Sequence, residues 1–414
     1  MAIKGLFSSD ASPAHERVQG FAKALVQYEA VNQAPLLSAF GINTNRSLKS
    51  TNYEWTEQQK LTGINYVVDN GNNPLASTLR LADTSWVTEH MIFLVISTGE
   101  FLFVTGVSGN VVTFVRGYGN NTVRPIVPTA TRHIEIQRIG TAFHEGSERP
   151  EAVAMRPGQP KFNLTQIFRN SWAVTRTAKM VTNHTGNLVS RNKMDCMMLH
   201  TRDIETSMLF GIRARGVQNG QPHRSMDGLY RQIVTNIASP AGGILTERAL
   251  NTFFQVVFAN GIAGKNNTNR IAVCGINAIT HINNLVRGST QYQIGVRETS
   301  FGINVTEWIT PYGTIKLMPH EVLTNTPGRR SDIIVLHPDA VNVHFMYEGA
   351  EEDTTDNGRS NGIDGDIGGL ISELTMSVEG ELSCGILTGV CGTAATPMPT
   401  MVVQPYTPPL NPGC

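Results

Sequence analysis

The chain has 414 residues, which exceeds the roughly 250 to 300 residues at which a single hydrophobic core stops growing, so we expect two or more packed units. Charged residues make up only 16% of the sequence against a usual share of about 25%, so part of the surface is expected to be covered in the functional state. The 33 basic and 33 acidic residues balance without a basic run, which disfavours tight nucleic-acid binding.

The cysteines are odd in number and widely scattered, which favours free thiols over a disulfide framework. They are Cys196, Cys274, Cys384, Cys391 and Cys414. No apolar segment suits a signal peptide, and the longest apolar run, residues 91–96, is far shorter than the about 20 residues that span a membrane. We therefore expect a protein that is made in the cytoplasm, stays soluble and has no membrane partner.

The first 50 residues lack globular patterning apart from a helical stretch at residues 18–40, which Pro35 interrupts and Gly41 closes. From about residue 70 the pattern changes to short β-branched or aromatic runs separated by turn residues. The predicted strands are residues 78–81, 91–97, 100–107, 111–116 and 133–138, with hairpin turns at 98–99 and 108–110. This pattern predicts a compact sheet or small barrel.

Extended ribbons are predicted on both sides of the β unit, near residues 51–66 and at 162–181. The best long helix covers residues 187–212, in which spacings of three and four place one set of side chains on a shared face. The set is Met194, Met197, Thr201, Ile204 and Met208. The sequence therefore predicts one long amphipathic helix after the returning ribbon.

The remaining pattern mixes helices and strands and predicts an α+β body. Thr246 is a suitable N-cap for a helix that ends at Asn260-Gly261, and a second helix carries apolar residues from Ile276 to Leu285. Strands are predicted at 271–273, 314–317, 333–336 and 341–345. The acidic, Gly-rich residues 348–369 are predicted to form a loop, and the Pro-rich residues 397–414 no regular structure.

Catalytic motifs are missing from the sequence: there is no nucleophile elbow, no zinc-protease helix, no phosphate-binding loop and no dinucleotide fingerprint. A hydrolase that uses Cys274 or the region of His320, His337 and His344 is the alternative from the enzyme class, but no spacing forces the histidine segments together. Isolated histidines more often have satisfied structural roles.

Two further groups suggest metal ligands, and for both a structural role is the better interpretation. Cys196 and His200 lie four residues apart on the long predicted helix, yet two ligands do not make a site. The acidic segment carries Asp353, Asp356, Asp364 and Asp366, which miss the ligand order of a calcium-binding loop. We therefore assign no catalytic, cofactor-binding or metal-binding residue, no cofactor and no enzymatic activity.

Several segments together carry a resemblance to a known family. They are residues 56–71 (TEQQKLTGINYVVDNG), the strand-turn-RG pattern at 110–119, residues 143–150 (FHEGSERP), 163–181 (NLTQIFRNSWAVTRTAKMV), 226–229 (MDGL) and 311–323 (PYGTIKLMPHEVL). On these segments, over about residues 51–387, the chain resembles the major capsid proteins of tailed bacteriophages with the Hong Kong 97-type fold. It is most similar to the branch found in short-tailed phages with elongated heads.

The resemblance implies an α+β Hong Kong 97-type capsid fold with a small all-β domain inserted in an extended loop. The implied divisions are 1–50, N-terminal arm; 51–69, outgoing strand of the extended loop; 70–155, inserted β domain; 156–186, returning strand; 187–240, spine helix and peripheral domain; 241–345, axial and central α+β domain; 346–392, acidic loop and return to the peripheral domain; and 393–414, Pro-rich tail. The family archetype joins subunits by a Lys–Asn isopeptide bond promoted by Glu. That trio has no match here, and Lys161, near the ribbon, is not assigned to it.

The implied function is that of a major capsid protein of a tailed double-stranded DNA phage, located in the virion and assembled in the host cytoplasm. The implied partners are many copies of the chain as pentamers and hexamers, with scaffolding, portal and cementing proteins as further candidates and DNA only in weak, nonspecific contact. An encapsulin-like compartment shell with the same fold is the structural alternative, and the cytoplasmic hydrolase is the enzymatic one.

Overall fold

The computed structural model describes residues 34–40, 48–58, 63–71, 73–129, 133–148, 158–181, 187–288, 307–354 and 365–390. By compactness the chain divides into a smaller unit of residues 56–160 and a larger unit of residues 1–55 and 161–414. Two strands at this division, β1 (Asn52–Glu57) and β8 (Gln159–Leu164), pair with each other as a two-stranded sheet.

The smaller unit is a closed β-barrel in the order β2-β3-β6-β5-β4-β7. Its strands are β2 (Ile64–Asp69), β3 (Thr78–Leu81), β4 (Met91–Val95), β5 (Phe101–Ser108), β6 (Val111–Arg116) and β7 (Ile134–Thr141). Alternate side chains point inward, as the two-residue period of a strand requires, and Phe93 and Phe114 meet edge to face in the interior. The predicted small barrel is therefore present, and closure leaves no free sheet edge.

Strand β2 corrects one boundary of the sequence interpretation. We assigned residues 51–69 to an outgoing ribbon, but β2 pairs with both β3 and β7 and closes the barrel. Asn65 and Val67 face inward, and the Asn65 amide binds the carbonyl of Asp83. An alternating strand pattern fits a ribbon and a barrel wall equally well, so the period alone could not distinguish them.

Deleting the barrel is expected to leave the larger unit folded, provided that the deletion includes β2. The ends of the barrel segment are close, since a Cβ placed on Gly158 would lie 2.2 Å from Cγ2 of Thr56. We therefore predict that a chain lacking residues 59–157, with a short Gly-Ser linker joining Gln58 to Gly158, keeps one cooperative thermal transition by circular dichroism. A chain that lacks only residues 70–151 keeps β2 but loses its partners β3 and β7, so we expect this shorter deletion to aggregate. Loss of cooperative melting in the longer deletion would contradict this division.

The larger unit contains helices, two main sheets and a hairpin. The helices are α1 (Pro35–Phe40), α2 (Arg176–Met180), α3 (Leu188–Phe210), α4 (Leu229–Gln232), α5 (Glu247–Ala259), α6 (Ile276–Gly288) and α7 (Glu321–Asn325). The strands are β9 (Gln166–Thr175), β10 (Ala214–Gln218), β11 (Gln221–Ser225), β12 (Ile237–Ala238), β13 (Asn269–Cys274), β14 (Glu307–Thr310), β15 (Gly313–Pro319), β16 (Ile333–Leu336), β17 (Val341–Thr354), β18 (Gly365–Val378) and β19 (Gly385–Leu387).

A mixed sheet in the order β12-β19-β16-β13-β15-β14 lies at the centre of the larger unit. Successive residues of β16 alternate between two apolar clusters, with Ile333 and Val335 in one and Ile334 and Leu336 in the other. Because both faces are covered, the strand is a continuous apolar run with no polar alternation. A second sheet, β17-β18-β9, packs against α3, and β10 pairs with β11 in a hairpin.

The long helix lies within two residues of its predicted limits, and its buried face agrees only in part with the prediction. Asn187 caps α3 by accepting a hydrogen bond from the Val189 N–H, and Gly211 follows its last residue. Met194 and Met197, which we placed on the shared face, are 62% and 63% exposed. Ile204 and Met208 of the predicted face are buried, and Cys196 and His200, which we did not place on it, complete the buried row. Steps of four residues advance about 40° per turn on a 3.6-residue helix, so the buried stripe winds around α3.

Two further expectations on the larger unit are corrected. Pro35 begins α1, where its missing N–H costs nothing, whereas we expected it to interrupt a helix over residues 18–40; residues 18–33 lie outside the described residues. The acidic segment is less of a loop than we expected, because β17 extends to Thr354 and β18 begins at Gly365. Between-strand hydrogen bonds satisfy this Gly-rich backbone, and Gly368 gives the Trp172 ring space that a Cβ would fill.

Candidate functional surfaces

His320, the first of the three suspected histidines, belongs to a buried polar cluster that the sequence did not indicate. Its Nε2 donates to Oε1 of Glu205 at 2.8 Å, and both side chains are fully buried. The same carboxylate accepts the backbone N–H groups of Leu36 (2.6 Å) and Leu37 (3.1 Å) at the start of α1. Glu205 therefore fixes α1 against α3 and carries no sign of a hydrolytic role.

His337 is held by local structure at the end of β16. Its Nε2 bonds to Oδ1 of Asn267 at 3.1 Å, and its Nδ1 accepts the N–H of Asp339. Burial, followed by the positive charge of the buried Arg270, lowers the pKa of His337 to about 4. A histidine that accepts at one nitrogen and is neutral at neutral pH stabilises the turn after β16.

His344, the third histidine, links β1 to the second sheet. Its Nε2 lies 3.1 Å from Oγ of Ser377, and its ring stacks on Tyr53 with centroids 4.0 Å apart. The Tyr53 hydroxyl donates to Oε1 of Glu379, which also accepts from the Ser377 hydroxyl. The three suspected histidines thus have separate partners, and none of their recorded bonds reaches the thiol of Cys274.

The suspected cysteines occupy apolar surroundings. Burial raises the pKa of the Cys274 thiol far above neutrality, so it is a poor nucleophile. Cys196 packs against Trp172 and Val174, and burial raises its pKa as well. Both ring nitrogens of His200 are engaged, at 2.8 Å from the side chains of Asn170 and Ser372, so His200 is not placed to bind a metal ion together with Cys196.

The suspected acidic site is not assembled in the described part of the chain. Asp366 forms an ion pair with Lys179 at 2.6 Å, and Asp353 lies in β17. Asp356 and Asp364 lie outside the described residues. Within the described ranges no three His, Cys, Asp or Glu side chains are grouped to hold a metal ion, and no described helix is long and apolar enough to cross a membrane.

The segments that carry the family resemblance have structural tasks. Gly228 of the MDGL segment lies against the end of α3, where its N–H bonds to the Gly211 carbonyl and a Cβ would lie 2.6 Å from the Leu209 oxygen. In the segment 311–323, a Cβ added to Gly313 would clash with the backbone oxygen of Thr268. Close backbone approaches of this kind require glycine.

The strand-turn-RG segment places a buried ion pair in the barrel. Arg116 binds Glu100 in a bidentate manner, with both N–O distances 2.8 Å, and it also donates to the Ala76 carbonyl. The carboxylate additionally accepts the N–H groups of Gly117 and Arg124. Gly117 has a φ of +64°, and a Cβ there would lie 2.4 Å from a backbone oxygen. Arginine and glycine are therefore both required at this turn.

Lys161, which we left unassigned, pairs with a carboxylate of its own chain. Its Nζ lies 3.0 Å from Oε2 of Glu381, which is buried and accepts the N–H groups of Val234 and Thr235. Burial acts to raise the pKa of Glu381, but these hydrogen bonds outweigh it and lower the pKa. The ion pair joins β8, which contains Lys161, to the segment after β18, which contains Glu381.

The surface of the larger unit carries several large apolar side chains that are exposed in the single chain. On α3 they include Met194 and Met197, and on the sheet edge Ile309 of β14 is 78% exposed. Every residue of β10 is exposed, including Val217 at 76%. Large exposed apolar groups on several elements are candidates for contacts with other proteins where they form a contiguous patch. The sequence signalled this surface only through its low charge content.

Comparison with known proteins gives a consistent result. The family model of the SU10 major capsid protein matches residues 21–391. The major capsid protein of Pseudomonas phage PaMx41 is 27% identical over 406 residues, covering 93% of this chain and 96% of that protein. The capsid of a native GTA particle matches with a TM-score of 0.48 and 8% identity over 92% of this chain and 97% of the other. The structure of Mycobacterium phage Bobi matches with a TM-score of 0.44 and 9% identity, over 91% of this chain and 96% of the other.

Proposed function

Because the chain belongs to the SU10 major capsid protein family, we propose that it forms the shell of a tailed double-stranded DNA phage by packing exposed apolar surfaces of neighbouring copies together. The prediction of a phage major capsid protein is confirmed, and the chain has the predicted α+β mixture of elements. The protein is thus a component of the virion that assembles into a multimeric shell.

The exposed methionine stripe of α3 is the observation that carries the proposed mode of packing. Met194 and Met197 lie on the longest helix of the larger unit, yet more than three fifths of each side chain is exposed. Methionine is flexible and polarisable, and it suits surfaces that must pack against neighbours in slightly different arrangements. We propose pentamers and hexamers as the building units, and a surface of this kind would fit the slightly different contacts at five-fold and six-fold positions of a closed shell.

Finer features of the proposal follow from charge and composition. A chain with zero net charge suits a container that touches its DNA weakly and without sequence preference, because tight binding would require many cationic contacts. We further propose assembly in the host cytoplasm with scaffolding, portal and cementing proteins, and a place in the branch with short tails and elongated heads. Family membership favours this function over the encapsulin-like compartment and over the hydrolase, since the family is one of structural capsid proteins.

Electron microscopy of the protein expressed alone tests the proposal. We expect closed shells, or sheets with five-fold and six-fold rings, in negative stain after size-exclusion chromatography. The double substitution Met194→Asp and Met197→Asp should raise the concentration needed for assembly at least about tenfold, because two charges replace buried apolar contacts.

The matched control replaces the same two methionines by leucine, which keeps the surface apolar and should preserve assembly. Assembly by the aspartate variant at the wild-type concentration would exclude α3 as a contact surface. Small monodisperse particles, even when phage scaffold and portal proteins are co-expressed, would contradict the shell function itself.

A further inference from the structure

A groove with an unpaired strand edge lies on the larger unit, next to the point where the described chain leaves the central sheet. It encloses about 540 Å³ between β12 and the outer side of α5, with Leu387 of β19 in its floor. The α5 wall includes Thr252 and Val256, and Val256 is 46% exposed. Arg248 is the charged residue of the lining.

One edge of this groove can accept a further strand. β12 pairs with β19 in parallel, and the bonds to β19 use the carbonyls of Asn236 and Ala238. Neighbouring residues of a strand direct their backbone groups to opposite sides, so the N–H and C=O of Ile237 point away from β19. Among the described residues neither group of Ile237 has a recorded hydrogen bond. A free edge beside an apolar wall is the arrangement that binds an extended peptide.

The sequence that follows the described residues offers a matching peptide. Residues 391–414 contain no Asp, Glu, Lys or Arg, which suits an almost uncharged groove. Within them, residues 400–404 (TMVVQ) form a stretch between two prolines whose Val402 and Val403 favour strands. Leu387, in the groove floor, lies just before the last described residue, Val390. Ten extended residues span up to about 33 Å, so residue 400 can reach the groove from Val390.

We propose that residues 400–404 add as a strand to the free edge of β12 in the same chain and fill the groove between β12 and α5. The backbone of the peptide bonds to Ile237, and its valine side chains pack on the apolar wall of α5. Prolines 399 and 405 limit the added strand to five residues, since proline lacks the N–H that a ladder needs. The proposal concerns contacts within one chain and stands apart from the proposed shell function.

Hydrogen–deuterium exchange on the full chain tests the strand addition. We expect the amides of residues 400–404 to exchange at least about tenfold more slowly than in a free peptide of the same sequence. Val256→Glu, in the groove wall, should restore free-peptide exchange. The matched control, Ile309→Glu, makes the same change at the opposite edge of the same sheet and should leave the protection intact. Melting curves of both variants check that the body remains folded.

A photo-crosslinking residue at position 402 tests which chain supplies the strand. A crosslink to α5 within a band of monomer mass supports the proposal. The same crosslink in a band of dimer mass would show that the strand comes from a second copy and overturn the assignment to the same chain. Free-peptide exchange of residues 400–404 in the unaltered protein, or equal loss of protection in both glutamate variants, would overturn the groove as the binding site.

Discussion

Replacing Glu205 with alanine is expected to destabilise the larger unit by about 3–5 kcal/mol, because it removes the acceptor of several buried hydrogen bonds at once. Three donors lose their acceptor at once, namely the N–H groups of Leu36 and Leu37 and Nε2 of His320. The acceptor Glu205 and the donor residues Leu36 and His320 have at most 1% of their surface exposed, and Leu37 is half-buried. Each unsatisfied buried donor costs about 1–3 kcal/mol, so the sum exceeds what a typical surface substitution costs.

Urea unfolding of the unassembled protein, followed by tryptophan fluorescence, measures this effect. Glu307→Ala is a matched control, because Glu307 is exposed on edge strand β14 and should cost less than about 0.5 kcal/mol. Glu205→Gln keeps one acceptor oxygen but presents an amide N–H₂ to donors, so its cost should fall between the two. Limited proteolysis near residues 34–40 should accelerate in Glu205→Ala as α1 detaches. Equal stability of Glu205→Ala and Glu307→Ala would show that the buried carboxylate does not hold α1.

The second large effect is expected in the barrel, where Glu100→Ala should cost about 3–5 kcal/mol by leaving the guanidinium of Arg116 buried and unpaired. Amides of β5 and β6 should then exchange roughly a hundredfold to several thousandfold faster, since 1.4 kcal/mol corresponds to a factor of ten. Glu89→Ala, at an exposed position of the same unit, is the control and should leave exchange unchanged. Replacing both Glu100 and Arg116 by leucine should recover part of the loss, because no unpaired charge remains.

Acidification should weaken the barrel through the same pair. Burial acts to raise the pKa of Glu100, but the hydrogen bonds and charge of Arg116 and the backbone N–H groups outweigh it, so the pKa is lowered in the folded state. A lowered pKa gives stability that is complete above the unfolded value of about 4.3 and is lost as the pH falls through the folded value. Glu100→Gln should lack this pH-dependent component. An unchanged acid response in that variant would assign the response to other carboxylates.

Much of the fold could be predicted because local patterns agree with it. Thr246 caps the helix that it was expected to cap, α3 begins next to the predicted residue Asn187, and the continuous apolar run at 333–336 is a strand buried on both faces. The strand and turn signals between residues 78 and 141 predicted the barrel, and Gly99 and Gly109 adopt the positive φ that their hairpin turns require. Such signals depend on a few neighbouring residues and need no knowledge of distant contacts.

The buried polar groups that stabilise each unit internally could not be predicted from such local signals. Glu205 occupies a mid-helix position that usually faces solvent, and its partners are 169 and 115 residues away in the sequence. The three suspected histidines were the opposite case, because the sequence suggested that they were free for catalysis. Each is hydrogen-bonded to a side chain that is distant in the sequence and near only in the folded chain. Burial of a polar side chain is decided by tertiary packing, so residue type alone gives no signal.

By itself the sequence determined the approximate limits of α3 and α5, the strand-rich insert, the absence of catalytic motifs and, through its ordered segments, the resemblance that the family match confirms. Only the tertiary structure decided which face of α3 is buried, that β2 closes the barrel, and that the side chains of Glu205, Glu100 and Arg116 are buried. The physical reason is that periodicity and capping act over one or two turns of chain. Packing faces, sheet closure and charge burial depend on surfaces contributed by residues distant in the sequence.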